Sequence, residues 1–294
     1  MVEFSLPERP HFSDELIDRC KRSGDYGAVA FEWYKHIGLL ANRYANAARL
    51  SPAFRAVRPV HFAVLIGSLN RCSRLMLANL RLANEGKHGE ASRILDRCIF
   101  ETCTKVTWLC ENTDSEPFER FLADGLKRDL EFGELIRGEI QKRKDGKALV
   151  IEERMLASIE HAITSAGLDE RVVKETKKLP DMASLHQLTG HERLVYVAIE
   201  RMGSHAVHGS WTDLRTNYLE VEDEEFVLRD NDVPMDVNQF VAVSTFVLDA
   251  LEAFITFMCE AKAPAEALLE PICSARRGIL DFFDSAVGDD FEPA

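Results

Sequence analysis

The sequence predicts an all-α fold, a bundle of long antiparallel helices with further helices packed around it. Three observations carry that prediction. Apolar residues recur at helical spacing along almost the whole chain. Strand-like alternation is nearly absent, and no internal repeat or low-complexity linker separates the periodic stretches. Residues 1–52 are expected to form an N-terminal helical arm or layer, and residues 53–294 the bundle domain that carries the site, the whole making one structural unit.

Residues 13–50 read as one or two helices, with Ser13 placed to cap the first and Glu15 in its first turn. Ser51-Pro52 interrupts them, and residues 58–83 resume with apolar positions 62, 65, 66, 69, 75, 76, 77 and 80. Glu85-Gly86-Lys87 is a turn. Residues 90–111 form a strong helix, with Ala91, Ile94, Leu95, Cys98, Thr102, Val106 and Leu109 on one stripe. Residues 116–144 form another, closed by Lys144-Asp145-Gly146-Lys147, and its charges of alternating sign mark a solvated face. Shorter helices follow at 151–166 and 170–178, and Pro180 punctuates the chain before a helix at 192–203. The acidic stretch 217–236 lacks helical periodicity, and Glu225-Phe-Val-Leu-Arg229 has the composition of a short strand. Helices at 237–260 and 264–286 complete the chain, and residues 289–294 should fray.

Composition excludes several functions. The net charge of −13 argues against broad, charge-driven binding to nucleic acid or an anionic membrane, while leaving room for a small basic cleft. Glu3, Glu8 and two prolines within residues 1–10 replace the apolar core of a signal peptide. The longest apolar run, 240–259, is interrupted by Asp249 and Glu252, which suits a buried amphipathic helix better than a membrane span. Seven cysteines, an odd number with no CxxC pair, point to free buried thiols in a reducing cytoplasm, with no disulfide framework and no structural zinc. No glycine-rich phosphate loop, Gly-x-Ser-x-Gly elbow, Walker sequence or HExxH motif occurs, so those chemistries are set aside.

The densest chemistry lies in residues 196–211, which gather Tyr196, Arg201, Ser204, His205 and His208 before Gly209 and Trp211. At 100° per residue, Arg201, Ser204, His205 and His208 share roughly a third of one helical face. Leu194 and Val197 continue that face, so the polar groups stand on an apolar side, where each one left unpaired costs about 1–3 kcal/mol. A second group sits in the helix at 90–111, where Arg97 and Glu101 are i,i+4 neighbours with Lys105 one turn on and Trp108 beside them. The bland reading is a surface ion-pair ladder worth about 0.2–0.5 kcal/mol per pair. The sharper one sets Arg97 and Glu101 against Ser204 and His208 across two facing helices.

The run Ala91-Ser-Arg-Ile-Leu-Asp-Arg97-Cys-Ile-Phe-Glu101, followed by Arg201-Met-Gly-Ser204-His-Ala-Val-His208-Gly209, resembles a bacterial helical family of unknown function. The pattern of that family is an Arg-x-x-x-Glu helix and then Tyr-Arg-x-x-Ser-x-x-x-His-Gly; the likeness covers roughly residues 60–260. One departure is visible: Glu200 stands before Arg201, leaving Tyr196 one turn earlier. The chain is also similar to HEPN-type domains, whose RNases carry Arg-x4–6-His; here six residues separate Arg201 from His208. That resemblance implies a metal-independent endoribonuclease, an effector of an antiphage or toxin–antitoxin system, with RNA and a regulatory protein as partners and a homo-oligomeric state. It implies no cofactor and no metal.

RNA cleavage by an internal 2′-hydroxyl needs a general acid or base near neutral pH and a cation on the phosphoryl oxygens. His208 would supply the first and Arg201 or Arg97 the second, with Ser204 donating a hydrogen bond and Glu101 orienting a neighbour. Geometry resists the pairing of Arg201 with His208, because seven residues of straight helix rise about 10.5 Å and side chains lean towards the N-terminus. Arg97 from a facing helix, or a site shared across a dimer, would relieve that.

The alternative from a different class is a non-catalytic helical binding or scaffold module. In it, Arg97, Glu101, Ser204 and His208 form a structural network, and His208 is a buried imidazole bonded to Glu101 or Ser204. The charge of −13 favours the module, and the side-chain inventory favours the nuclease. A metal at His205-x-x-His208 lacks the inward carboxylates of ferritin-like sites. His186 and His191 are expected to be solvated, Trp108 and Trp211 to be core, and Arg71, Arg74 and Arg81 to line a solvated face, with His61 able to extend that basic stripe.

Overall fold

The computed structural model describes residues 5–47, 53–83, 87–112, 114–229, 233, 235 and 237–287, and only the backbone at 47, 200–202 and 283–287. Ser51-Pro52, the turn residues Glu85 and Gly86, and the chain end at 289–294 lie outside the described residues. Helical spacing becomes helix throughout, and the fold is all-α apart from one two-stranded antiparallel sheet among the described residues. Compactness divides the chain differently from the expected arm and bundle. One unit comprises residues 1–56, 65–111 and 182–294, and the other residues 57–64 and 112–181.

In the first unit, helix α1 (Asp14–Ser23) begins where the Ser13 hydroxyl accepts from the Leu16 N–H at 3.3 Å. It ends at Gly24, whose φ of 69° closes the helix in the left-handed region. That break makes the stretch from residue 13 two helices, the second being α2 (Gly27–Ala47). Helix α3 (Pro59–Ala83), whose residues from 65 onward belong to this unit, leads to α4 (Gly89–Cys110). After the second unit come α8 (Met182–Leu188), α9 (Arg193–His208), the single turn α10 (Trp211–Asp213) and a π-helical turn, Leu214–Tyr218. Strands β1 (Leu219–Glu222) and β2 (Glu225–Leu228) pair with Leu219 opposite Leu228, reversing through Asp223 and Glu224 at positive φ. Helices α11 (Val237–Met258) and α12 (Lys262–Val287) close the unit.

Helix α11 is the centre of this unit and packs against α4, α2 and α12. It is long and apolar enough by composition to cross a membrane, yet 61% of its most apolar window is buried within the protein. The two charges that interrupt its apolar run have a partner: Arg276 of α12 donates to Asp249 at 2.5 Å and to Glu252 at 2.7 Å. On α4 the buried positions Ser92, Asp96, Ile99, Cys103, Val106 and Cys110 recur at alternating steps of four and three. The expected stripe is therefore out of phase in its first half. Ile94 is exposed, Ala91, Leu95 and Cys98 are half-buried, and polar Ser92 and Asp96 face inward in their place.

The second unit is built on α5 (Glu116–Lys142), α6 (Val150–Ser165) and α7 (Glu170–Glu175). Ala123, Leu126 and Leu130 of α5 meet Ala166 and Val173 in a small core. Arg143 clamps Glu152 through both guanidinium ends, and the Leu149 N–H adds a third bond. Those bonds hold the Glu152 carboxyl down to about 2. His61 does not join a basic stripe: it is buried, stacked on Phe118 at 4.4 Å, and burial lowers its pKa so that the ring stays neutral.

Candidate functional site

Helix α9 is brought against α4 by its one glycine. A Cβ at Gly203 would lie 2.6 Å from Arg97 Cβ and 2.9 Å from Arg97 Cδ, so only a residue without a side chain lets the arginine stem lie against the α9 backbone. At the far end of that stem, Arg97 Nε donates to Glu101 Oε1 at 3.0 Å, and Lys105 Nζ stands 3.6 Å from Glu101 Oε2. Arg97 and Glu101 are half-buried. The expected i,i+4 ladder is therefore present, drawn into a helix–helix contact.

The remaining residues of the signature separate from it. The side chain of Arg201 lies outside the described residues, though its backbone belongs to α9. Ser204 is half-buried, and neither it nor His208 makes a side-chain hydrogen bond among the described residues. His205 is engaged, its Nδ1 2.6 Å from Ser210 Oγ, and Ser210 in turn caps α10. His208 is exposed, not the buried imidazole that the network reading expected, because it is the last residue of α9 before Gly209 turns the chain at φ 55°.

The direction of the helices keeps His208 from Glu101. Glu111, at the C-terminal end of α4, is in electrostatic reach of His191, just before α9 begins, whereas Gly203 sits on Arg97, so the two helices run antiparallel. From that crossing, His208 lies about 7.5 Å along α9 towards the N-terminal end of α4, and Glu101 about 6 Å the other way. The two backbone positions are thus about 13 Å apart along the helix axes, and Glu101 is not placed to orient His208.

Two histidines expected in solvent are packed instead. His186 is 1% exposed on α8, a short helix in the stretch between Pro180 and residue 192 where the spacing predicts no element. Its ring stacks on half-buried His191 at 4.8 Å, lies 5.4 Å from Phe100 and 5.5 Å from Tyr196, and Nε2 donates to the Glu192 carbonyl at 3.2 Å. Burial lowers its pKa, against that bond, so the ring is neutral. Trp108 is core as expected, whereas Trp211 is 57% exposed and meets Phe226 edge-on. Arg71, Arg74 and Arg81 do face solvent. Among the described residues no three His, Cys, Asp or Glu side chains are grouped to hold a metal ion.

Beside the Gly203 contact lies a cavity of about 50 Å³, lined by Arg93, Asp96, Arg97, Phe100, Gly203 and Gln239 among others. Sequence reasoning missed its polar wall. Asn79 donates one amide hydrogen to Asp96 Oδ1 at 2.6 Å and the other to the Tyr34 hydroxyl at 3.1 Å, a buried chain linking α2, α3 and α4. Burial pushes the Asp96 carboxyl up to about 7, overcoming the Asn79 bond and the Arg93 charge, both of which lower it. The signal that could have found it was the buried phase of α4, which puts an aspartate between Ser92 and Ile99 on the core stripe.

The Family of unknown function (DUF5677) matches residues 62–226, more than half of the chain. The match takes in both Arg97–Glu101 and the segment from Tyr196 to Trp211. No curated protein and no solved structure matches the chain.

Proposed function

We propose that this chain, which belongs to the DUF5677 family of unknown function, is a non-catalytic helical binding module in which Arg97, packed on Gly203, holds α9 against α4. The observation that carries this reading is the double engagement of Arg97. Its stem lies under Gly203 and its guanidinium is bonded to Glu101. A phosphate clamp needs its donors turned to the substrate, and this arginine already spends packing and hydrogen bonding on the fold. The net charge of −13 supports the same reading, since it opposes RNA on approach.

One observation favours a second reading, the HEPN-like endoribonuclease of an antiphage or toxin–antitoxin system. His208 is exposed, so its imidazole is open to a substrate approaching from solvent. Under that reading Arg201 would be the phosphate clamp, and a second copy of the chain would complete the site.

Incubation of the purified chain with a broad RNA panel in EDTA separates the two, with toxicity on expression in cells as the second arm. The module reading expects intact RNA and unaffected growth. RNA fragments ending in 2′,3′-cyclic phosphate, lost in His208→Ala, would establish the nuclease and end the module reading.

A further inference from the structure

The cavity between α4, α9 and α11 has an unmatched set of hydrogen-bonding groups. Asp96 Oδ2, Gln239 Oε1 and Arg93 Nε are buried and have no hydrogen-bond partner among the described residues. Asp96 and Gln239 are each 8% exposed, and all three residues line the cavity. Buried polar groups are otherwise matched in folded proteins, so three around one small space form a template. Their inventory is two acceptors and one donor. The Arg93 guanidinium is meanwhile fixed from its other side, Nη1 donating to Asn217 Oδ1 at 3.3 Å. The rest of the lining includes Phe100 and Phe246, whose rings meet edge-on at 4.8 Å, and Gly203.

We propose that this cavity binds the amide edge, adjacent N–H and C=O groups, of a small neutral molecule such as a carboxamide or a ureide. With Asp96 ionised, above about pH 7, the ligand N–H groups donate to Asp96 Oδ2 and Gln239 Oε1, and its carbonyl accepts from Arg93 Nε–H. Size agrees: about 50 Å³ takes a group of about three to five heavy atoms, taking roughly 10–15 Å³ per water-sized probe. Charge agrees as well. Above about pH 7, where the Asp96 carboxyl is ionised, its charge and the Arg93 cation offset one another, so an added anion or cation would be left unbalanced away from water.

This inference rests on the binding-module reading and names what the module takes. The test is protein NMR at pH 8, where Asp96 is ionised, with acetamide and N-methylurea as probes, against acetate, the charged isostere of acetamide, and methylammonium. The two amides should give saturable shifts confined to residues around Phe100, Gly203 and Gln239. The charged probes should give none. Gln239→Met, which keeps the side-chain length and removes its polar end, should weaken acetamide by about tenfold, the loss of one buried hydrogen bond. Asp96→Leu should do at least as much, and Gln239→Met keeps the test valid if Asp96→Leu does not fold. Acetate binding as well as acetamide, or no saturable shift with either amide, overturns the proposal and leaves a cavity for water only. Neither result touches the module reading, which fails on RNA cleavage alone.

Discussion

Replacing Asp96 by asparagine should make the protein more stable at pH 8 and remove part of its pH dependence. The folded state holds the Asp96 carboxyl at about 7 against an ordinary value of 3.8. Between those values the folded chain keeps a proton that the unfolded chain has released. Stability therefore falls as pH rises from about 4 to about 7 and is flat above that window. The shift corresponds to about 4 kcal/mol of destabilisation once the group is fully ionised. An asparagine at this position would keep the bond from Asn79 through its own carbonyl oxygen. Its amide would then stand where Oδ2 stands now, unpaired towards the cavity, at a cost of about 1–3 kcal/mol. The net gain at pH 8 is about 1–3 kcal/mol. Urea unfolding of both proteins at pH 5.5 and pH 8 isolates the effect, because every other titrating group cancels in the comparison. The wild type should lose about 2 kcal/mol relative to Asp96→Asn across that interval. Parallel pH profiles, or a variant less stable than wild type at pH 8, would refute the argument that burial holds this carboxyl protonated.

Two further outcomes follow from burial. Because burial lowers the folded-state pKa of His186 below that of the unfolded chain, its contribution is present above about pH 6.5 and is lost as pH falls through the folded value. His186→Phe should therefore flatten the acid side of the stability profile, and urea midpoints that still fall as steeply below neutrality would show that another group is responsible. The Cys72 and Cys103 thiols are buried 3.6 Å apart, and burial raises the Cys103 pKa well above the ordinary range. Iodoacetamide followed by mass spectrometry should modify half-buried Cys98 and Cys273 first and reach Cys72 and Cys103 only on unfolding; early labelling of Cys103 would contradict the packing of α3 on α4.

The long helices were legible because each repeats an apolar face over several turns. Helices α4, α5 and α11 begin and end within two residues of the spacing read from the sequence. Among the short elements, α7 and β2 were legible, whereas α8 and β1 were not. Helix α8 has seven residues, too few for periodicity to separate from a loop after Pro180. Strand β1 alternates Leu-Glu-Val-Glu for only four residues and is defined by its pairing with β2, a tertiary fact. The phase of α4 was misread for a physical reason. Apolar residues were assigned inward, whereas Asn79 draws Asp96 into the core and turns Ile94 out. The Arg97–Glu101 pair was visible at i,i+4, and that Gly203 lies upon it was not. Of the two readings of His208, the buried imidazole does not hold: Gly209 ends the helix there and leaves the ring in solvent.

The claim that Arg97, packed on Gly203, holds α9 on α4 is tested most directly by a paired unfolding measurement on Gly203→Ala and His208→Ala. A methyl group at 203 would meet Arg97 Cβ at 2.6 Å, a contact that cannot be relieved by moving the far end of a flexible chain. Gly203→Ala should lose about 1–3 kcal/mol, as overpacking does in a well-packed core. His208→Ala, at an exposed position without a side-chain hydrogen bond, should stay within about 0.5 kcal/mol of wild type. Wild-type stability in Gly203→Ala together with a loss above about 1 kcal/mol in His208→Ala would place the anchor at the histidine and contradict the account.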